Sequence, residues 1–139
     1  YRTRMALEDN GHLIIIAPGV RRFGEDKDID SLIRKYGYVG RDLILSHTND
    51  NVDLQSNLSA AAHLIHGSSD GRFKITYATD KLTKQEVESV GFEYMPFEAA
   101  IKTYDINKLK DGFNTLESGE EIFYISNPAL GLWADKSKF

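Results

Sequence analysis

The sequence predicts an α/β fold, a layered αβα sandwich built on a small, mostly parallel β-sheet. A strand is predicted over residues 12–17, with an unbroken apolar run at 13–17, and a strand of this kind needs other layers on both of its faces. Segments rich in β-forming residues alternate with segments of helical apolar spacing, which is the pattern of a sheet covered by helices. The 139 residues show no internal repeat and no low-complexity linker, so residues 1–139 are expected to form one domain.

Capping and stop signals divide the first half of the chain. Residues 1–8 are good helix formers that end before Asn10-Gly11, and the apolar strand follows at once. Asp28 is expected to N-cap a short helix that ends near Gly37. Helical spacing predicts two more helices over residues 40–47 and 52–66. The expected apolar stripe of the second consists of Leu54, Leu58, Ala61, Ala62 and Ile65.

The second half alternates in the same way. Residues 72–79 favour a second strand, and Thr83 with Glu86 three positions later forms a capping box for a helix that ends near Gly91. We expect a short extended segment at 92–95, a helix opened by Pro96 and continuing to about Tyr104, a strand at 119–126 and a packed loop at 127–133.

Composition excludes several classes of function. The net charge is −4 and charges of both signs are interleaved, which disfavours a nucleic-acid partner. The absence of cysteine excludes disulfides and thiolate metal sites. No segment has the apolar length of a membrane span or the pattern of a signal peptide, so we expect a cytoplasmic protein without a membrane partner. The chain begins at Tyr1 without an initiator methionine, and we expect it to be a fragment of a longer protein.

Two adjacent arginines lie in the loop after the first strand. Ligands of open α/β sheets bind beyond the carboxyl ends of the strands, and guanidinium groups there suit a carboxylate or a phosphate. Arg21 and Arg22 therefore predict an anion site. The alternative is that they are exposed loop residues paired with nearby acids. Those acids are Glu25, Asp26 and Asp28.

Two histidines stand three residues apart near the end of the predicted helix 52–66. His63 and His66 lie on nearly the same helix face, where imidazoles can ligate a metal or transfer a proton. No third ligand follows at a recognisable offset, so we predict no metal site, and helix capping or hydrogen bonding is the alternative. No role is assigned to His12 or His47. Taken together, the residues discussed so far indicate an α/β domain with an anion site.

Four longer runs carry a resemblance to a known family. Residues 13–26, 57–69, 88–94 and 125–134 resemble the Rossmann-like C-terminal domain of the lactate racemase family, and most closely its D-mannonate epimerase branch. The resemblance implies an isomerase, a racemase or epimerase of 2-hydroxy acids, that uses a nickel-pincer nucleotide. It places the nickel ligand and the acid–base histidines in an N-terminal catalytic domain of the same chain. This domain is then expected to hold no catalytic residue and to bind no cofactor alone.

The resemblance also implies substrate contacts. The family carries a Tyr-Gln-x-x-Lys stretch before the first strand; here Tyr1 matches, Arg2 replaces glutamine, and Met5 stands at the lysine position with Arg4 nearby. Lactate racemases place a tryptophan where this chain has Leu54. Both departures favour a larger, polyhydroxylated acid over lactate. The expected substrate- or cofactor-binding residues are Tyr1, Arg2, Arg4, Arg21, Arg22, His63 and His66.

Two other classes of function stay open. The chain fits a non-catalytic domain that binds a small anion through the arginine loop. It also fits an oligomerisation domain, for which the apolar tail with Leu132 and Trp133 is the indication. A natural chain that extends upstream of Tyr1 into a catalytic half with histidines and a lysine would favour the enzyme over these two classes.

Overall fold

A computed structural model describes residues 3–138 and confirms the α/β class. Its strands are β1 His12–Ile16, β2 Lys74–Thr79, β3 Glu93–Pro96, β4 Gly112–Thr115 and β5 Glu121–Tyr124. Its α-helices are α1 Lys27–Tyr36, α2 Arg41–Asp50, α3 Val52–Gln55, α4 Leu58–Gly67, α5 Lys84–Ser89 and α6 Phe97–Thr103. Short 3-10 turns follow at Pro128–Leu130 and Lys136–Lys138. None of the helices in the described part of the chain is long and apolar enough to cross a membrane.

The main sheet has three parallel strands in the order β1-β2-β3. Helices α1 to α4 connect the first pair of strands and α5 connects the second, which are the crossovers that parallel pairing requires. The carboxyl ends of all three strands therefore lie at one edge, which we call the carboxyl edge. The segments that follow β1 and β2 meet there.

Each face of the sheet is covered by helices, as predicted. Leu13 and Ile15 of β1 lie in register with Ile75 and Tyr77 of β2. These side chains share one face of the sheet and belong to, or pack against, the core formed with α1 to α5. Ala78 and Ala100 are fully buried on the opposite face, where α6 contacts all three strands. The helical side chains of the core are Ile29, Ile33, Ile44, Leu54, Ala60, Ala61, Leu64 and Val87.

Two of the predicted helices, the one capped near Asp28 and the one over 52–66, need correction. Asp26, not Asp28, caps α1, because its side chain accepts from the Ile29 amide. The expected helix over 52–66 is two helices, since the Asn57 side chain accepts from the Ala60 amide and starts α4 anew. This break rotates the apolar stripe, so that Leu58 and Ala62 are exposed and Leu64, outside the predicted stripe, is fully buried.

Both ends of the chain also differ from expectation. Within residues 3–8 the predicted helix is absent: the segment forms turns and one parallel bridge between Met5 and Ala134. The strand expected over 119–126 is the shorter β5, which pairs antiparallel with the unpredicted β4 in a separate hairpin. The tail is less packed than predicted, with Leu130 and Leu132 largely exposed.

The capping box of α5 is confirmed. Thr83 Oγ1 accepts from the Glu86 amide, and Glu86 Oε2 accepts from the Thr83 amide and hydroxyl. Two donors at the helix start are satisfied reciprocally, which fixes the chain between β2 and α5.

Removal of this cap tests its contribution to stability. We expect Thr83→Ala to lower the free energy of unfolding by about 1 kcal/mol, because the Glu86 amide loses its acceptor. Urea denaturation followed by circular dichroism measures the change. Thr103→Ala, at the exposed end of α6, is the matched control and is expected to change it by less than about 0.5 kcal/mol.

Gly24 lies where the arginine loop meets α1. A Cβ atom at this buried residue would stand 2.4 Å from the Asp30 backbone nitrogen, whereas a Cβ at Gly19 would meet no atom within 4 Å. We expect Gly24→Ala to destabilise the fold by about 1–3 kcal/mol through overpacking and Gly19→Ala to be nearly neutral. Thermal unfolding of the two variants compares them, and equal effects would contradict the close approach.

Candidate functional site

The candidate site is the carboxyl edge between β1 and β2. The Ala17 amide donates to the Ala78 carbonyl at 2.9 Å, so the strand pairing continues into the arginine loop. Thr79, which is fully buried at the end of β2, donates from Oγ1 to the Val20 carbonyl at 3.4 Å and accepts from the Lys81 amide at 3.3 Å. Thr79 therefore ties the loop after β1 to the turn after β2.

A second set of bonds ties the loop to α1. Asp30 Oδ1 accepts from the amides of Phe23 at 2.6 Å and Gly24 at 3.3 Å, while Oδ2 accepts from Arg34 Nε at 2.7 Å. Arg34 Nη1 continues to Glu86 Oε1 at 2.9 Å and thus to the capping box of α5. One polar network joins the arginine loop, α1 and α5.

The charges in this network stabilise one another. Partial burial acts to raise the pKa of Asp30, but hydrogen bonds from Arg34 and from the loop amides outweigh it and hold that pKa below 3.8. Hydrogen bonds from Thr83 and Arg34 likewise lower the pKa of Glu86. Both carboxylates are therefore ionised at neutral pH, and Asp30 keeps its full capacity to accept the loop amides.

Arg21 and Arg22 are both exposed. Within residues 3–138 neither forms a salt bridge, so the alternative pairing with Glu25, Asp26 or Asp28 is not observed there. Lys81 lowers the pKa of Asp80 in the turn after β2, and the charge of Arg21 adds to this effect.

Asp80 and Lys81 belong to this edge and were missed from the sequence. Lys81 Nζ lies 2.9 Å from Asp80 Oδ2, and both side chains are more than two-fifths exposed. Arg21 and Lys81 offer cationic donors at this edge, and Asp80, which feels both charges, offers an acceptor. The sequence could have indicated them. Parallel strands end at the same edge of the sheet, so residues of the turn after β2 are as well placed to bind a ligand as those of the loop after β1.

His63 lies on α4, where it feels the charge of Glu25 from the loop after β1. The Tyr38 hydroxyl stands 3.2 Å from His63 Nδ1. Burial lowers the pKa of His63, against the charge of Glu25, and raises that of Tyr38. Both shifts favour the uncharged forms, a neutral imidazole and a protonated phenol, which share this one hydrogen bond. His66, on the next turn, is exposed.

The N-terminal site residues are only partly visible. Tyr1 and Arg2 lie outside the described residues. Arg4 forms a salt bridge with Asp70, which also accepts from the Arg41 amide at 2.8 Å. Arg4 is thus held at the start of α2, and the structure does not bring it to the arginine loop.

The stretch that resembles the tryptophan segment of lactate racemases is structural here. Leu54 is fully buried in the core. Its neighbour Asp53 accepts from Lys35 Nζ at 2.6 Å and from the Tyr36 hydroxyl at 2.7 Å. Leu54 is therefore not placed to contact a ligand.

A polar cluster on the sheet face opposite the core was also missed. His12 Nε2 lies 2.7 Å from Thr76 Oγ1, which donates to Glu93 Oε2 at 3.2 Å, and Lys74 Nζ lies 3.4 Å from Glu93 Oε1. These residues share a face because of the register of β1, β2 and β3. Register is not readable from local pattern, so His12 looked isolated in the sequence.

No metal centre is formed in the described part of the chain. No group of three His, Cys, Asp or Glu side chains within residues 3–138 can hold a metal ion. His63 and His66 therefore lack the further ligand that a site would need from these residues.

The comparisons with known proteins are sparse. No family model matches the chain, and no curated protein matches it. A crystal structure of a Thermotoga maritima protein from a structural genomics consortium is similar, with a TM-score of 0.51 and 25% identity over 74% of this chain. The match spans 24% of the Thermotoga chain, so this chain corresponds to about a quarter of that protein's length.

Asp53 makes acid stability testable. Hydrogen bonds from Lys35 and Tyr36 lower its pKa to about 2, below the ordinary 3.8. A carboxylate whose pKa is lower in the folded than in the unfolded state stabilises the fold at pH values above its unfolded-state pKa. This contribution is lost as the pH falls through the folded-state pKa. We expect Asp53→Asn to be less stable than wild type near neutral pH and the difference to shrink between about pH 4 and pH 2. Urea denaturation across this range measures it. A constant difference would contradict the pairing, and Asp42→Asn serves as the control.

Proposed function

We propose that this chain is the C-terminal, substrate-binding domain of a cytoplasmic, nickel-pincer-dependent 2-hydroxy-acid racemase or epimerase, acting on a sugar acid such as D-mannonate. The resemblance of residues 13–26, 57–69, 88–94 and 125–134 to the lactate racemase family supports the reaction class. The match to about a quarter of a longer Thermotoga chain is compatible with a domain of a larger protein.

The observation that carries the proposal is the position of Arg21. Its guanidinium is exposed at the carboxyl edge of a parallel sheet, has no salt bridge within residues 3–138, and lies on a loop held by Thr79 and Asp30. An exposed guanidinium on an anchored loop, with no salt bridge of its own within residues 3–138, can bind a carboxylate or a phosphate through two parallel hydrogen bonds. A 2-hydroxy acid carries such a carboxylate, and the nucleotide cofactor carries a phosphate.

The described residues do not fit the nickel centre itself. They form no set of three metal-binding side chains, and the resemblance places the nickel ligand in the N-terminal domain. We therefore assign this chain no step of the hydride chemistry. Its proposed part is to bind and orient: Arg21 and Arg22 hold the anionic group, and His63 and His66 offer donors at the end of α4.

Arg4 has a different part in the proposal. Its charge is compensated by Asp70, so it is a weaker anion ligand than Arg21. With Tyr1 and Arg2 upstream, it lines the stretch that the resemblance assigns to the substrate carboxylate. Arg4 then orients this stretch against α2.

The second candidate is an anion-binding domain without turnover. It rests on the same exposed arginines, because binding needs only the guanidinium groups whereas racemisation needs a catalytic half. The two candidates differ in whether any 2-hydroxy acid is converted.

The test is epimerisation by the full natural chain, loaded with its cofactor, on D-mannonate and on lactate. We expect turnover of D-mannonate over lactate, and Arg21→Ala to raise KM about tenfold or more, since a hydrogen bond to a charged group contributes about 1.5–3 kcal/mol. Arg41→Ala, an exposed arginine on α2, is the matched control.

Three results would contradict this account. Unchanged KM in both Arg21→Ala and Arg22→Ala would remove the anion site. If no 2-hydroxy acid is converted while calorimetry still shows Arg21-dependent binding of D-mannonate, the chain is the anion-binding domain instead. An equal loss in Arg41→Ala would show that the effect is not local to the carboxyl edge.

A further inference from the structure

Arg21 and Asp80 are brought together by the bond that joins their chain segments. The Val20 carbonyl accepts from Thr79 Oγ1 at 3.4 Å, and Arg21 and Asp80 are the residues that directly follow these two. Their backbones therefore leave the carboxyl edge from adjacent points. A cation and an anion placed side by side in this way can bind two different groups of one ligand.

The turn that carries Asp80 is fixed on both sides. Thr79 before it is fully buried, Leu82 after it is 3% exposed, and the Lys81 amide donates to Thr79 Oγ1 at 3.3 Å. Between these anchors the Asp80 and Lys81 side chains are 41% and 44% exposed. The turn thus presents two charged side chains from a defined backbone position, which reduces the ordering that a ligand must impose.

The Asp80 carboxylate is available as an acceptor. Its ion pair is with the adjacent Lys81, and no salt bridge ties it to another element within residues 3–138. The hydrogen bond from Lys81 lowers the pKa of Asp80, so the carboxylate is ionised at neutral pH and offers acceptors only. A ligand hydroxyl, which is a donor, complements it, whereas the anionic group of a ligand is repelled by it and attracted by Arg21.

We propose that Asp80 selects polyhydroxylated acids: its carboxylate accepts hydrogen bonds from substrate hydroxyls beyond the 2-hydroxyl, while Arg21 binds the substrate carboxylate. This inference rests on the proposed function, because it takes the carboxyl edge as the substrate site. Arg21, Lys81 and Asp80 together carry a net positive charge, which suits the single negative charge of a sugar acid. Lactate has no hydroxyl beyond the 2-hydroxyl, so it gains no bond from Asp80.

Comparison of two ligands separates this role from a structural one. In the full natural chain loaded with its cofactor, we expect Asp80→Ala to raise KM for D-mannonate about tenfold or more, since hydrogen bonds to a charged group are lost. The inhibition constant of lactate, measured as a competitor, is expected to stay nearly unchanged. Arg21→Ala is expected to weaken both ligands, because both carry the carboxylate.

Two further variants are controls. Asp105→Ala removes a matched carboxylate beyond the end of α6, 42% exposed and 3.3 Å from Lys108 Nζ, and is expected to leave the constants of both ligands unchanged. Asp80→Asn keeps an oxygen acceptor without the charge, so we expect it to recover part of the affinity for D-mannonate.

The outcomes for Asp80 and for the proposed function are distinguishable. If D-mannonate is converted and Asp80→Ala leaves its KM unchanged, or weakens lactate equally, Asp80 does not select the hydroxyls although the proposed function stands. If no 2-hydroxy acid is converted, the proposed function is wrong and calorimetry decides for Asp80. Weaker binding of D-mannonate in Asp80→Ala, with lactate binding unchanged, would support the role of Asp80. Equal binding in the two proteins, or no binding, would overturn it.

Discussion

The carboxylate of Asp30 is the interaction on which the carboxyl edge of the sheet depends. The loop that leaves β1 runs against α1 closely enough that only glycine fits at position 24, and its amides at Phe23 and Gly24 need an acceptor there. Asp30 supplies that acceptor from the helix itself. Arg34 keeps Asp30 charged and connects it to Glu86, so the loop, α1 and α5 share one network.

This arrangement explains how an exposed arginine is held ready for a ligand. Two acids of the same loop and helix are engaged elsewhere, since Asp26 caps α1 and Asp30 binds Arg34 and the loop. Asp80, which feels the charge of Arg21, forms its salt bridge with Lys81. The loop is fixed by its backbone, through Thr79 and Asp30, and the Arg21 guanidinium forms no salt bridge within residues 3–138. A loop backbone that is ordered before a ligand arrives reduces the cost of binding. The proposed substrate-binding role rests on this arrangement, in which the loop backbone is anchored and the Arg21 side chain is exposed.

Local signals predicted the parts of the fold that local chemistry determines. The apolar run of β1 and the Thr83–Glu86 capping box are satisfied within a few residues, and both were readable in the sequence. The separate β4–β5 hairpin and the cluster of His12, Thr76 and Glu93 depend on strand register and partner, which no short segment encodes. The break at Asn57 was missed because a single cap residue outweighs a continuous apolar spacing. Of the site, the arginine loop was predicted, whereas Asp80 and Lys81 required the adjacency of two strand ends.

The exchange rate of the Phe23 amide tests the central role of Asp30 most directly. In an Asp30→Ala protein this account predicts that the Phe23 amide exchanges at least about tenfold faster than in wild type, while the amides of β2 keep their protection. That pattern would show that the carboxylate holds the arginine loop. Equal protection of Phe23 in the two proteins would contradict the account, because the loop would then be held without Asp30.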